Sequence, residues 1–194
     1  MSRVGVVACG ALAVNVRRVA RRRGWDVEVH PVPALLHNRP ERIAPAVAST
    51  LDSLRARHDV LAVAYGDCGT RGALDDALSA AGVERLGGDD CYAIYGGDLA
   101  ARAVEEEPGT YFLTDFLART FFRTVWQELG LDRYPELRDD YFGNYRRVVW
   151  LSQRPDPELA AAAATAAERL GLPLERVHVG DEGLERELRL LLDA

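Results

Sequence analysis

Three cysteines carry the chemistry this sequence can offer. Cys9 stands in "ACGAL", Cys68 in "YGDCG" and Cys91 in "GGDDCYAIYGG". In each case an apolar, strand-like run has just ended and a helical pattern is about to begin. Thiolates ligate metals or attack electrophiles, and the partial positive charge of a helix N-terminus favours that form. In an open α/β sheet, ligands bind beyond the carboxyl ends of the strands. Three turns of this kind therefore predict three sulfurs at one sheet edge. Gly10, Gly66 and Gly69 are expected to leave room there for a metal cluster against the backbone. The bland rival is three buried, inert thiols, because free cysteine is among the most buried residue types. The spacings match no known metal-ligand pattern, so the expectation rests on the fold.

Other polar residues fall near the same edge. His37 and Asn38 in "LLHNRP" follow the second strand. Tyr65 and Asp67 share a turn with Cys68, and Asp89 and Asp90 precede Cys91. His37, Tyr65, Asp67 and Asp89 are the candidate acid–base or substrate-binding groups. Asp90 has a competing role as the cap of the following helix. Thr110, Tyr111 and Thr114 of "GTYFLT" are expected near the same edge. His30, His58 and His178 read as structural or surface residues.

The elements that must position these groups are legible from hydrophobic periodicity. "RVGVVACG", "DVEVHPV", "DVLAVAYG", "VERLGG", "GTYFLT", "RRVVWLS" and "LERVHVG" read as strands. Helical patterns separate most of them, several closed by glycine. The alternation predicts an α/β protein: a mostly parallel sheet with helices on both faces, Rossmann-like or a related doubly wound arrangement. One domain over residues 1–194 is expected, with a helical insertion or lid at 131–145. Phe116, Phe122 and Trp126 are expected in the core. The arginines at 17, 18, 21, 22 and 23 read as a solvated helix face.

Composition narrows the function classes. The chain has 194 residues and a formal net charge of −6, which argues against a general nucleic-acid or membrane-surface binder. No stretch approaches the ~20 apolar residues of a membrane span. The first residues read as a strand, not a signal peptide, so a cytoplasmic protein with reduced thiols is expected. All 24 basic residues are arginine. A Walker A lysine, a Schiff-base lysine and a lysine nucleophile are thereby excluded.

The stretches "ACGAL", "LHNRP", "YGDCG", "DDC" and "GTYFLT", with "VGDEGLERELRLLL" near the end, resemble the domain-of-unknown-function family numbered 1638, found in archaea and bacteria. The resemblance implies that all three cysteines belong to one motif set. It also implies a genomic association with corrinoid-dependent methyltransferase systems. Members usually carry a histidine where this chain has Asp89, and a Gly-Trp pair near Asp115 and Phe116, so a role of that histidine is met differently here or not at all. The three-cysteine arrangement is also similar, by analogy, to that of quinolinate synthases and small thiouracil desulfidases.

Three functions remain open on this reading. One is an enzyme with a 4Fe–4S cluster on Cys9, Cys68 and Cys91, its open iron acting as a Lewis acid on a small-molecule substrate in desulfuration or dehydration. Another is a zinc–thiolate protein in corrinoid-linked methyl transfer. The third is a non-enzymatic accessory protein for metal, sulfur or corrinoid. A metal-free cysteine nucleophile has no visible His–Cys pairing in the sequence to support it.

Overall fold

The structure is a computed structural model and describes residues 3–192. Six strands form among the described residues, β1 (Val4–Cys9), β2 (Val27–Val32), β3 (Val60–Ala64), β4 (Thr110–Thr114), β5 (Arg147–Ser152) and β6 (Leu174–His178). All pair in parallel. They make two sheets of three strands, in the orders β2-β1-β3 and β4-β5-β6. The α/β expectation holds, but two sheets stand where one was expected. The chain divides into two compact units, one running up to Ile94 and resuming at Asp181, the other Tyr95–Gly180.

In the first unit β1 is central and its Val6, Val7 and Ala8 are fully buried. A strand between two neighbours and under helices reads as a continuous apolar run for that reason. Helices α1 (Ala13–Arg23), α2 (Ile43–Leu54) and α3 (Ala73–Ala81) connect and cover the strands. The expected strand "VERLGG" is reduced to a single parallel bridge between Val63 and Arg85. It still delivers the chain to α4 (Cys91–Gly96), which breaks at Gly97 before α5 (Asp98–Glu106).

The arginine-rich face of α1 is not simply solvated. Arg18 Nε donates to Asp181 at 2.6 Å, and Arg22 and Arg23 both pair with Glu185. Asp181 and Glu185 belong to the start of α9 (Glu182–Leu192) and the residue before it. The basic face thus pins the returning C-terminal helix to the first unit. Sequence reading missed this because the partner lies about 160 residues away along the chain.

The second unit holds α6 (Asp115–Phe121), α7 (Arg138–Phe142) and α8 (Pro157–Leu170) around its sheet. Its core includes Leu113, Phe121, Trp126, Phe142 and Trp150. Phe121 is buried, whereas Phe122 is exposed and lies under the Arg169 guanidinium. The segment 131–145 is helical in part, as expected. Its Leu131 and Phe142 are core residues, and Tyr145 packs edge-on against Tyr111. Leu131 and Phe142 are built into this unit's interior, while Tyr134 and Tyr141 are exposed.

Candidate functional site

The first unit gathers most of the candidate residues at the carboxyl edge of its own sheet. Cys9 is the last residue of β1, and Tyr65 follows β3 directly. His37 comes from a 3₁₀ turn, Ala34–Asn38, after β2. Cys68 and Cys91 come from two turns locked to each other. The Cys68 N–H donates to the Asp89 carbonyl at 2.6 Å, and the Asp67 N–H to the Gly88 carbonyl at 3.3 Å. A Cβ on Gly66 would lie 3.0 Å from Asp90 Cα and 3.1 Å from its backbone nitrogen. Only glycine lets the two turns meet this closely. Gly10 likewise admits the backbone of Val32 and Ala34. Gly10 and Gly66 therefore serve backbone packing, and the room expected there for a cluster is taken up by the chain itself.

Cys68 has φ +50°, in the left-handed region. For a side chain other than Gly, Asn or Asp this costs roughly 1–2 kcal/mol. Such strain persists where surrounding contacts over-determine it, which is common at functional sites. Here the short hydrogen bond to Asp89 supplies the constraint.

Cys9 Sγ accepts the Ala11 N–H at 3.3 Å. It also lies 3.9 Å from Nε2 and 4.0 Å from Nδ1 of His37. Near-equal distances place the sulfur on the line bisecting the two nitrogens, so neither N–H points straight at it. His37 Nδ1 donates to the Ala34 carbonyl at 2.8 Å. Burial opposes its imidazolium, but hydrogen bonds and negative charge from Cys68 and Cys9 outweigh burial and raise its pKa to about 11. The ring stacks on Tyr65, with centroids 5.5 Å apart.

Tyr65 is fully buried, and its hydroxyl has no hydrogen-bond partner. Burial raises its pKa far above the ordinary phenol value, and the neighbouring Cys9 and Cys68, then Cys91, add to the rise. All three cysteines therefore act on one phenol. Cys91 is itself pushed well up, first by burial and then by Cys68 and Cys9. The helix-terminus effect expected to favour its thiolate is overridden by the missing water.

The carboxylates part company with the site. Asp67 accepts from Thr70 Oγ1 at 2.6 Å and from the N–H groups of Gly72 and Arg71 at 3.0 and 3.1 Å. The Thr70 and Gly72 bonds, chiefly, lower its pKa to about 2. It organises the turn and is too weak a base for proton abstraction at neutral pH. Asp89 contributes its backbone carbonyl, and its side chain is exposed. Asp90 accepts from the N–H groups of Tyr92 and Ala93, both at 2.9 Å, and so caps α4.

Thr110, Tyr111 and Thr114 belong to the second unit's sheet and serve that unit. Thr114 caps α6, and Tyr111 lies among aromatic rings. Beside them is a tie that sequence reading missed. Asp115 accepts from Trp150 Nε1 at 2.9 Å and from the Gln153 and Arg154 N–H groups at 3.1 and 2.7 Å. The only advance signal was an acidic residue directly after a strand.

Cys68, Cys91, the "LHNRP" turn and the start of α9 lie inside one matched region, and Cys9 lies two residues before it. The family model described as a protein of unknown function, DUF1638, matches residues 11–188. The chain belongs to the DUF1638 family. No curated protein and no solved structure matches it. DUF1638 carries no assigned reaction, so the chemistry of this member must be read from its site.

Among the described residues, the three cysteines do not bring their sulfurs all within 4.8 Å of one another. A single zinc ion would need them roughly 3.5–4 Å apart. A cubane cluster would hold them at about 6–7 Å.

Proposed function

We propose that this protein binds one 4Fe–4S cluster through Cys9, Cys68 and Cys91, with one iron left open, and that it acts on a small molecule by Lewis-acid chemistry such as desulfuration or dehydration. The observation that carries the reading is the Tyr65 hydroxyl, fully buried beside the cysteines and without a hydrogen-bond partner. Leaving a buried hydroxyl unsatisfied costs about 1–3 kcal/mol. That cost is explained if a ligand's acceptor atom normally completes the site. The donor set suits the cluster: thiolates are its usual ligands.

In this reading the cluster supplies an open coordination position for an oxygen or sulfur of the substrate. The protein's own groups do the rest. His37 holds a proton next to Cys9 and can deliver it to a leaving group. Tyr65 donates its O–H to a substrate acceptor and helps orient it. The arrangement requires a reducing compartment, in keeping with free cysteines.

A second reading is favoured by the Cys9–His37 contact, the pairing that the sequence did not reveal. The Cys9 sulfur beside the His37 imidazole could displace a leaving group from an electrophilic carbon without metal, its thiol proton passing to the leaving group through His37. Anaerobic reconstitution with iron and sulfide separates the two. The cluster reading expects a brown protein whose iron and sulfide content drops in each of Cys9→Ser, Cys68→Ser and Cys91→Ser. A wild-type protein that takes up neither, or equal content in all three variants, overturns it. Selective alkylation of Cys9 in the colourless protein would then support the thiolate.

A further inference from the structure

A second set of potential metal ligands lies on the same sheet, apart from the cysteines. We propose that Glu28, His30 and His58 form a binding site for a divalent transition-metal ion of the zinc class, with a fourth position open to solvent. Glu28 and His30 are two residues apart on β2, so their side chains share one face of the sheet. His58 precedes β3, two strands across, and reaches over β1 at Gly5. A Cβ on Gly5 would lie 2.8 Å from the His58 ring, so this glycine creates the crossing.

The donor atoms converge. His58 Nε2 is 3.1 Å from Glu28 Oε2, and His30 Nε2 is 3.4 Å from Glu28 Oε1. One ligand atom from each of the three residues falls within 4.8 Å of the others. Zinc–nitrogen and zinc–oxygen bonds of about 2.0–2.2 Å in a tetrahedron put ligand atoms roughly 3.3–3.5 Å apart. The observed distances are close to that.

Two further observations favour a cation over a plain ion pair. His58 Nδ1 lies 3.3 Å from the Leu54 carbonyl, the arrangement by which metal-ligating histidines fix their tautomer and turn the other nitrogen to the metal. His30 Nε2 is buried and has no hydrogen-bond partner. A lone pair in that position is satisfied by a metal ion. Glu28 is exposed and gives the ion a path in from solvent. Two imidazoles and a carboxylate suit zinc and its neighbours better than calcium or magnesium, which prefer oxygen.

The test is a Zn²⁺ titration of the full-length protein by calorimetry, with His30→Gln and Glu28→Gln run alongside. Both substitutions sit on an edge strand, Glu28 exposed and His30 replaced by a side chain of similar size, so the fold is expected to survive; circular dichroism checks this. Comparing variants with wild type cancels any zinc held by the cysteines. The expected result is one equivalent of Zn²⁺ in the wild type that both variants bind at least tenfold more weakly. Crystals soaked in Zn²⁺ should show an anomalous peak between the two Nε2 atoms. Equal stoichiometry and affinity in all three proteins, or zinc density only elsewhere, overturns the proposal.

Discussion

Cys9 Sγ and the two ring nitrogens of His37 lie 3.9 and 4.0 Å apart, although 28 residues separate them in the chain. The contact joins the end of β1 to the turn after β2, and β1 and β2 are neighbours in register up to Cys9↔Val32. It is a consequence of parallel pairing: two strands that run together end together.

This contact sets a titration. His37 has a folded-state pKa of about 11 against an ordinary 6.5. Its pairing therefore adds stability that is complete below about 6.5 and is lost as pH rises through about 11. In the metal-free protein, NMR should find the His37 ring protonated at pH 8. In the Cys9→Ser, Cys68→Ser double variant the causes that raise it most are removed, and the ring should titrate well below the wild-type value. An unchanged titration would dismiss the charge pairing.

His37→Ala should leave the fold and any reconstituted cluster in place, because its turn is half-buried and none of the proposed cluster ligands is removed. Turnover should drop by about 10²–10⁴-fold, the range for loss of a general acid. Loss of iron together with activity would instead make His37 a structural residue of the site.

Gly66→Ala should cost about 1–3 kcal/mol, the usual range for overpacking. The added methyl meets the Asp89–Asp90 backbone, not a flexible side chain that could move aside. Because the Cys68 and Cys91 turns would be pushed apart, iron uptake should fall with stability. A denaturant curve unchanged from wild type would show that the turns can separate freely.

Asp67→Asn should destabilise the protein at pH 7 by about 1–2 kcal/mol through weakened hydrogen bonds to the 70–72 turn. The Asp67 pKa is depressed to about 2, so its contribution is present above the unfolded value of about 3.9 and fades as pH falls through about 2. Urea midpoints of the two proteins should converge at pH 2. If Asp67→Asn also abolished proton-transfer steps with stability intact, the turn-organising role would be insufficient.

Asp181→Ala should be the most damaging of the surface-helix changes. The Asp181 side chain is 3% exposed and its partner Arg18 22%. Removing one member of a buried pair typically costs about 3–5 kcal/mol. Arg22 is 48% exposed, and Arg22→Ala should cost under about 1 kcal/mol. Thermal melts of both variants at low and high salt test the contrast. Equal losses would mean that burial does not govern this contact.

Much of this protein follows from local pattern. Apolar runs such as Val4–Cys9 are strands because a buried parallel strand needs apolar residues on both faces, and that need is written residue by residue. The placement of cysteines in strand-to-helix turns is equally local, and parallel strands carry it to one edge of the first unit's sheet. Asp90 as a helix cap could be named from its position alone. Tertiary structure decided what depends on distant partners. Asp67 is tied to its turn by three hydrogen bonds. Gly10 and Gly66 are filled by backbone from other turns, not by a cofactor. The arginines of α1 pair with Asp181 and Glu185, which lie beyond the whole second unit in sequence. Two sheets form where one was expected because strand order is set by side-chain packing across the chain, which periodicity along it does not encode.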